Sequence, residues 1–244
     1  MLKHAGHEPF TQRYAMASAV VTPLPPAFYA SVTDNKGTAM TAQTNEQAAQ
    51  RIAESLKLLQ DHLPIQRRVV HAGDTLYQAG QRFDNLYILN SGFFKIVNSS
   101  PDGREQVVAL HFKGDWLGLD GIANGHYGCN AVAMDTGEVW AIGYNTLIQA
   151  ATRQPAVLSV MHQAMSREIG RDRDSMMSLA TLPADARVAD FLRTWADALA
   201  QRGLRTDQIT LRMTRARRDI QIPEVHALTA FIQRSMTPAA AAVH

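Results

Sequence analysis

The 244-residue chain predicts an α+β protein: an antiparallel barrel or sandwich, then a long helix, then a mainly helical domain. Three observations predict it. From about residue 67 to 147, short runs rich in β-branched and aromatic side chains alternate with turn residues at spacings of roughly 8–12. Over 155–180 the apolar residues switch to steps of three, four and seven, the period of one helix face. At Pro183 that pattern breaks and a second amphipathic pattern begins.

Residues 1–45 mix Ala, Thr, Pro and Ser, including Thr22-Pro23-Leu24-Pro25-Pro26, and read as a flexible or loosely packed arm. A helix is expected over about 46–61, where Ala49, Ile52, Leu56 and Leu59 recur at helical steps, and it opens a sensor domain expected to span 46–150. Inside it the turns Ala72-Gly73-Asp74, Asn90-Ser91-Gly92, Pro101-Asp102-Gly103, Lys113-Gly114-Asp115 and Asp135-Thr136-Gly137 separate runs such as Leu86–Leu89, Phe93–Val97, Gln106–Leu110 and Val139–Ile142. The long helix of 151–180 starts near Pro155, which suits a first helical position. Its stripe is Leu158, Met161, Met165, Ile169, Met176 and Leu179. Packing on the chain's own barrel is one use for such a stripe; its length and narrowness favour a two-helix seam between subunits. From 181, Val188, Phe191, Leu192 and Trp195 mark another helix that ends near Gly203, a good residue for a left-handed cap.

Composition narrows the function. The chain is 46% apolar yet has no uninterrupted apolar run of membrane-spanning length, and its start lacks the pattern of a secretory signal, so a soluble cytoplasmic protein with no membrane partner is expected. Cys129 is the only cysteine, so no internal disulfide and no four-thiolate metal or iron–sulfur site can be built from one chain. The nine histidines are scattered without Ser/His/Asp or His/Glu motif spacing, and no glycine-rich phosphate loop precedes a helix, so an enzyme is not expected. His62, His71, His111, His126 and His162 read as surface or structural residues. Net charge is only +2, but Arg202, Arg205, Arg212, Arg215, Arg217 and Arg218 crowd one segment, a local basicity that suits a phosphate backbone or simply a solvated face.

Residues 210–220, Thr-Leu-Arg-Met-Thr-Arg-Ala-Arg-Arg-Asp-Ile, closely resemble the entrance to the helix-turn-helix of the Crp/Fnr family of bacterial transcription regulators. The runs Gly73–Gly80, Leu86–Gly92 and Gly114–Gly118 look like the characteristic turns of that family's roll, and matching local sequences cover roughly 57–220. The resemblance implies an N-terminal antiparallel β-roll (a jelly roll of the cyclic-nucleotide-binding type), a dimerisation helix over 151–180, and a C-terminal winged-helix-type domain over 181–244 that diverges after 220. It implies a DNA-binding regulator that acts as a homodimer, with DNA, a second copy and RNA polymerase as partners.

Members that bind cyclic AMP use a glutamate for the ribose and an Arg-Ser pair for the phosphate; those slots hold Leu119, Cys129 and Asn130 here. A buried phosphate without its arginine is an uncompensated anion, so no cyclic AMP is expected. The segment 117–126 looks like the oxygen-sensing Fnr branch, which ligates a [4Fe–4S] cluster through cysteines near the N-terminus and one in the roll; the roll position holds Trp140 and the arm has none, so no cluster is expected. Met165–Asp174 resembles the Fnr dimerisation helix, in which an aspartate on the stripe opposes pairing; Asp172 occupies that slot. Leu158, Met161, Met165, Ile169, Asp172, Met176 and Leu179 are therefore the expected dimer interface.

Arg212, Thr214, Arg215, Arg217 and Arg218 are the expected DNA contacts, with Thr214 and Arg215 matching the phosphate-touching entrance. After Ile220 the family pattern is lost: the continuation is Gln221-Ile222-Pro223-Glu224-Val225-His226, and Pro223 stands where the first helix of the motif should run. A short helix over about 224–235 is expected, with no β-wing after it. Phosphate contacts without a recognition helix predict weak, salt-sensitive, sequence-indifferent DNA binding. The alternative is a ligand-binding or interaction module without specific DNA activity that forms heterodimers with an intact homologue.

Overall fold

A computed structural model describes residues 35–100, 102–204, 206, 208–211, 218–221 and 224–236; for 35–43, 208–211 and 218–221 only the backbone is described. Helix α1 (Asn35–His62) starts inside the stretch expected to be an arm. Eight strands follow: β1 (Gln66–Val70), β2 (Thr75–Tyr77), β3 (Asn85–Ser91), β4 (Phe94–Ser99), β5 (Glu105–His111), β6 (Trp116–Leu117) and, after the short helix α2 (Gly121–Asn124), β7 (Asn130–Ala133) and β8 (Gly137–Gly143). Helices α3 (Tyr144–Arg153), α4 (Pro155–Thr181) and α5 (Ala184–Ala200), the hairpin strands β9 (Gln208–Leu211) and β10 (Arg218–Gln221), and α6 (Val225–Met236) complete the order.

The strands form two four-stranded antiparallel sheets, ordered β1-β8-β3-β6 and β2-β7-β4-β5. Between them lies one apolar layer, Val70, Tyr87, Leu89, Leu117, Val139 and Ala141 from the first sheet against Leu76, Tyr77, Phe94, Ile96, Ala131 and Ala133 from the second. The alternate residues of β3 and β8 (Leu86, Ile88, Trp140 and Ile142) point the other way and are covered by Leu56, Leu59 and Leu63 around α1, Leu147 and Ala151 of α3, and Val157, Met161 and Ala164 of α4. Strand β3 therefore reads as an unbroken apolar run because both its faces are buried.

A third apolar cluster sits where α5 meets the roll: Trp195, Ala196 and Leu199 pack on Phe112 and Met134, with Val225 and Leu228 of α6 against the same group. The 112–115 turn that joins β5 to β6 carries a left-handed glycine, Gly114 at φ +86°, and Gly118, just after β6, is left-handed too at φ +87°. A side chain at Gly114 would also meet Ile52 Cγ2 at 2.5 Å, so this turn is fixed against α1.

Candidate functional site

Asp115, on that turn, is 5% exposed and gathers cations from two helices. Its Oδ2 accepts from Phe112 N–H at 2.9 Å and Arg171 Nη1 of α4 at 3.0 Å, and forms an ion pair with Arg202 Nη2 beyond α5 at 3.1 Å. Arg171 Nη2 also donates to Glu168 Oε2 at 2.7 Å, and Glu168 Oε1 lies 3.4 Å from Nε2 of buried His111. Arg202 spends its other donors on the Lys113 and Ala198 carbonyls at 2.8 and 2.7 Å, and its guanidinium lies 5.1 Å from the Phe112 ring centre. Burial alone would push the Asp115 carboxyl up, but Arg202, then Arg171 and His111, hold it below the usual aspartate range. Glu168 is likewise held low against its burial by His111 and Arg171. Two buried polar nitrogens, His111 Nδ1 and Arg171 Nε, have no partner among the described residues.

This cluster escaped the sequence reading, which grouped Arg202 with the basic residues suited to phosphate. The structure corrects that: the Arg202 side chain is 8% exposed and faces a carboxylate. Glu168 and Arg171, three apart on one helix, were the only local signal; the pairing with Asp115 spans 56 residues and is set by tertiary contact.

In the roll, the slots expected to be wrong for cyclic AMP are occupied by intrachain contacts. Leu119 packs against the α1/α3/α4 cluster. The Cys129 thiol donates to Asp120 Oδ2 at 3.2 Å, the same oxygen that accepts from Gly128 N–H at 2.8 Å. Burial, then the Asp120 charge, pushes that thiol up to about 12, so it is held as an unreactive thiol. Asn130 Oδ1 accepts from Ala79 N–H at 2.8 Å. An anion-binding slot here would face a carboxylate. Trp140, where the oxygen-sensing branch has a roll cysteine, is core, its indole N–H donating to Glu138 Oε1 at 2.7 Å. With one thiol in the sequence and an indole at that position, the residues present do not fit a four-thiolate cluster.

The seam residues divide. Met161 is buried in the chain's own core, and Leu158 and Met165 pack against the same cluster, so Met161 is corrected from seam to core. Ile169, Met176 and Leu179 are 49, 69 and 58% exposed, joined by Met177 at 52%. Asp172 is exposed between them, its carboxyl raised first by partial burial and then by Glu168.

Of the expected DNA contacts, Arg212, Thr214, Arg215 and Arg217 lie outside the described residues. Arg218 opens β10, paired with Leu211 of β9. The stretch read as the entrance to a helix thus contributes two antiparallel strands, and a hairpin stands where no strand was expected. Helix α6 falls close to the span expected for it, with His226, Thr229 and Arg234 exposed.

The cyclic nucleotide-binding domain family matches residues 67–154, the roll and α3. The fumarate and nitrate reduction regulatory proteins of Salmonella typhimurium and Escherichia coli K12 are each 32% identical over 155 residues, 64% of this chain. This chain spans 62% of the length of those curated relatives. Among solved structures, FixK2 of Bradyrhizobium japonicum superposes with a TM-score of 0.57 at 19% identity, covering 73% of this chain and 100% of its own. A CRP-family transcriptional regulator of Thermus thermophilus gives 0.54 at 17%, covering 70% and 100%. At those identities the two structures speak for the fold. A two-sheet roll closed by a long helix, the match over residues 67–154 and the sequence likeness to the Fnr-type proteins converge on one statement: the chain carries a cyclic nucleotide-binding domain and is similar to regulators of the Crp/Fnr type.

Proposed function

We propose that this chain is a DNA-binding transcription regulator that pairs with a second copy along α4 and binds DNA with impaired sequence preference. The observation that carries the reading is the outer half of α4: four large apolar side chains, Ile169, Met176, Met177 and Leu179, left in water at the end of a helix whose first half is core. Such a patch is costly to expose and fits the same patch of another copy. Asp172 within it makes the pairing adjustable, because two carboxylates brought together repel and lose water.

The basic stretch Arg212–Arg218 supplies phosphate contacts, while α6 offers His226, Thr229, Gln233 and Arg234, which are not the family's base-reading set. The roll, with Asp120 beside the would-be phosphate slot, takes no cyclic nucleotide. RNA polymerase enters as a partner only through the family. A gel-shift titration at two salt concentrations tests the DNA reading: similar, steeply salt-dependent affinities for a TTGAT-type palindrome and for random DNA are expected. Strong preference for the palindrome would overturn impairment, and no DNA binding with retained pairing would favour the interaction module, to be checked by mixing with an intact homologue.

A further inference from the structure

We propose that Asp115 is the pin of an intrachain latch that docks α5 on the roll, and that Arg202 is the limb by which it opens. Three parts of the chain converge on one oxygen: the β5–β6 turn through Phe112 N–H, α4 through Arg171, and the end of α5 through Arg202. The two ionic limbs are not equivalent. Arg171 is tied again to Glu168 at 2.7 Å, and Glu168 approaches His111, so α4 stays attached to the roll without Arg202. Among the described residues Arg202 makes the ionic link from the end of α5 to the turn, bonding Ala198 O on one side and Lys113 O on the other.

Beneath the latch lies a pad of rings. Trp195 is centred 5.9 Å from Phe112, 6.5 Å from Phe93 and 5.6 Å from Phe191, all edge-on or tilted. Removing Arg202 leaves Asp115 still paired with Arg171, so no carboxylate is orphaned in the roll and the loss falls on α5. The pin is also mechanically coupled to the sensor. Leu89 N–H donates to Asp115 O at 3.0 Å and Gly114 N–H to Leu89 O at 2.8 Å, and the same turn runs on into residues 117–126. Any signal that moves this turn moves Asp115 and changes how firmly the C-terminal segment is held. The latch deepens the regulator reading by naming its moving joint, but its test uses no DNA.

Amide hydrogen exchange on the full chain reads the latch directly. Arg202→Met keeps the apolar stem and removes the fork; exchange across 184–200 should accelerate at least tenfold while β3 and β8 keep wild-type protection. Arg202→Lys, which keeps a point charge without the fork, should fall between the two. Wild-type protection of α5 in both variants would overturn the latch, as would equal acceleration of α5 and the roll. Loss of DNA binding by the wild-type chain would sink the regulator reading and leave the exchange result standing.

Discussion

The two halves of α4 carry the same kind of residue at the same spacing and meet different fates. Met161 is 5% exposed and Met176 is 69% exposed, although both sit on the single stripe that the period defines. The first half lies over the outer face of the β1-β8-β3-β6 sheet, where Ile88, Trp140 and Ile142 need cover; in the second, Ile169, Met176 and Leu179 are left exposed. One helix face thus serves two jobs, and burial against the roll divides them.

Substitutions sharpen that division. The largest effect expected is on folding: Met161→Ala should cost about 2–5 kcal/mol, because a closed core does not refill the vacated volume. Met176→Ala should leave the stability of the single chain within about 0.5 kcal/mol, as an exposed site does. Chemical denaturation under conditions where the chain is monomeric compares the two, and similar losses would erase the distinction between halves.

The next effect is on association. Met176→Glu should weaken pairing by at least tenfold, about 1.4 kcal/mol, in sedimentation over a dilution series, whereas Asp172→Ala should tighten it several-fold. Unchanged association in both would remove the outer half of α4 from the interface.

Acidity separates Asp172 from Asp115, because their shifts have opposite signs. The raised Asp172 carboxyl binds its proton more tightly in the folded protein. Its favourable contribution to folding is complete below the ordinary aspartate value of about 3.9 and is lost as pH rises through its raised one; the same protonation removes the charge that opposes pairing, so pairing should strengthen as pH falls through that range. The depressed Asp115 carboxyl contributes stability above about 3.9 that is lost as pH falls through its lowered value, so α5 should loosen only under more acid conditions. Light scattering follows the first and exchange of residues 184–200 the second; a single shared midpoint would contradict the separation. The smallest effect is none: added cyclic AMP should leave thermal unfolding unshifted, and a stabilisation that grows with its concentration would reassign the slot at Cys129.

Much of the molecule was legible in one dimension. Turn residues at regular spacing marked the strands of the roll, and the switch in period at 155 marked α4, because both patterns follow from backbone geometry that a residue's immediate neighbours enforce. The family pattern breaks after Ile220, where Pro223 would remove a backbone donor from a helix interior. Two misreadings share a cause. Arg202 looked like one more basic residue and Met161 like one more seam residue, because side-chain type fixes what a group can do and not what faces it.

By itself the sequence determined the order of roll, long helix and helical segment, and the lack of thiolates for a cluster, since period, turn chemistry and ligand count are local or additive properties. Only the tertiary structure decided that Asp115 would meet Arg171 and Arg202, that half the α4 stripe would be core, and that residues 208–211 would pair with 218–221 as strands. Each of those depends on which surfaces meet across tens of residues, and a charge or a methionine takes its role from the dielectric and the partners it finds there.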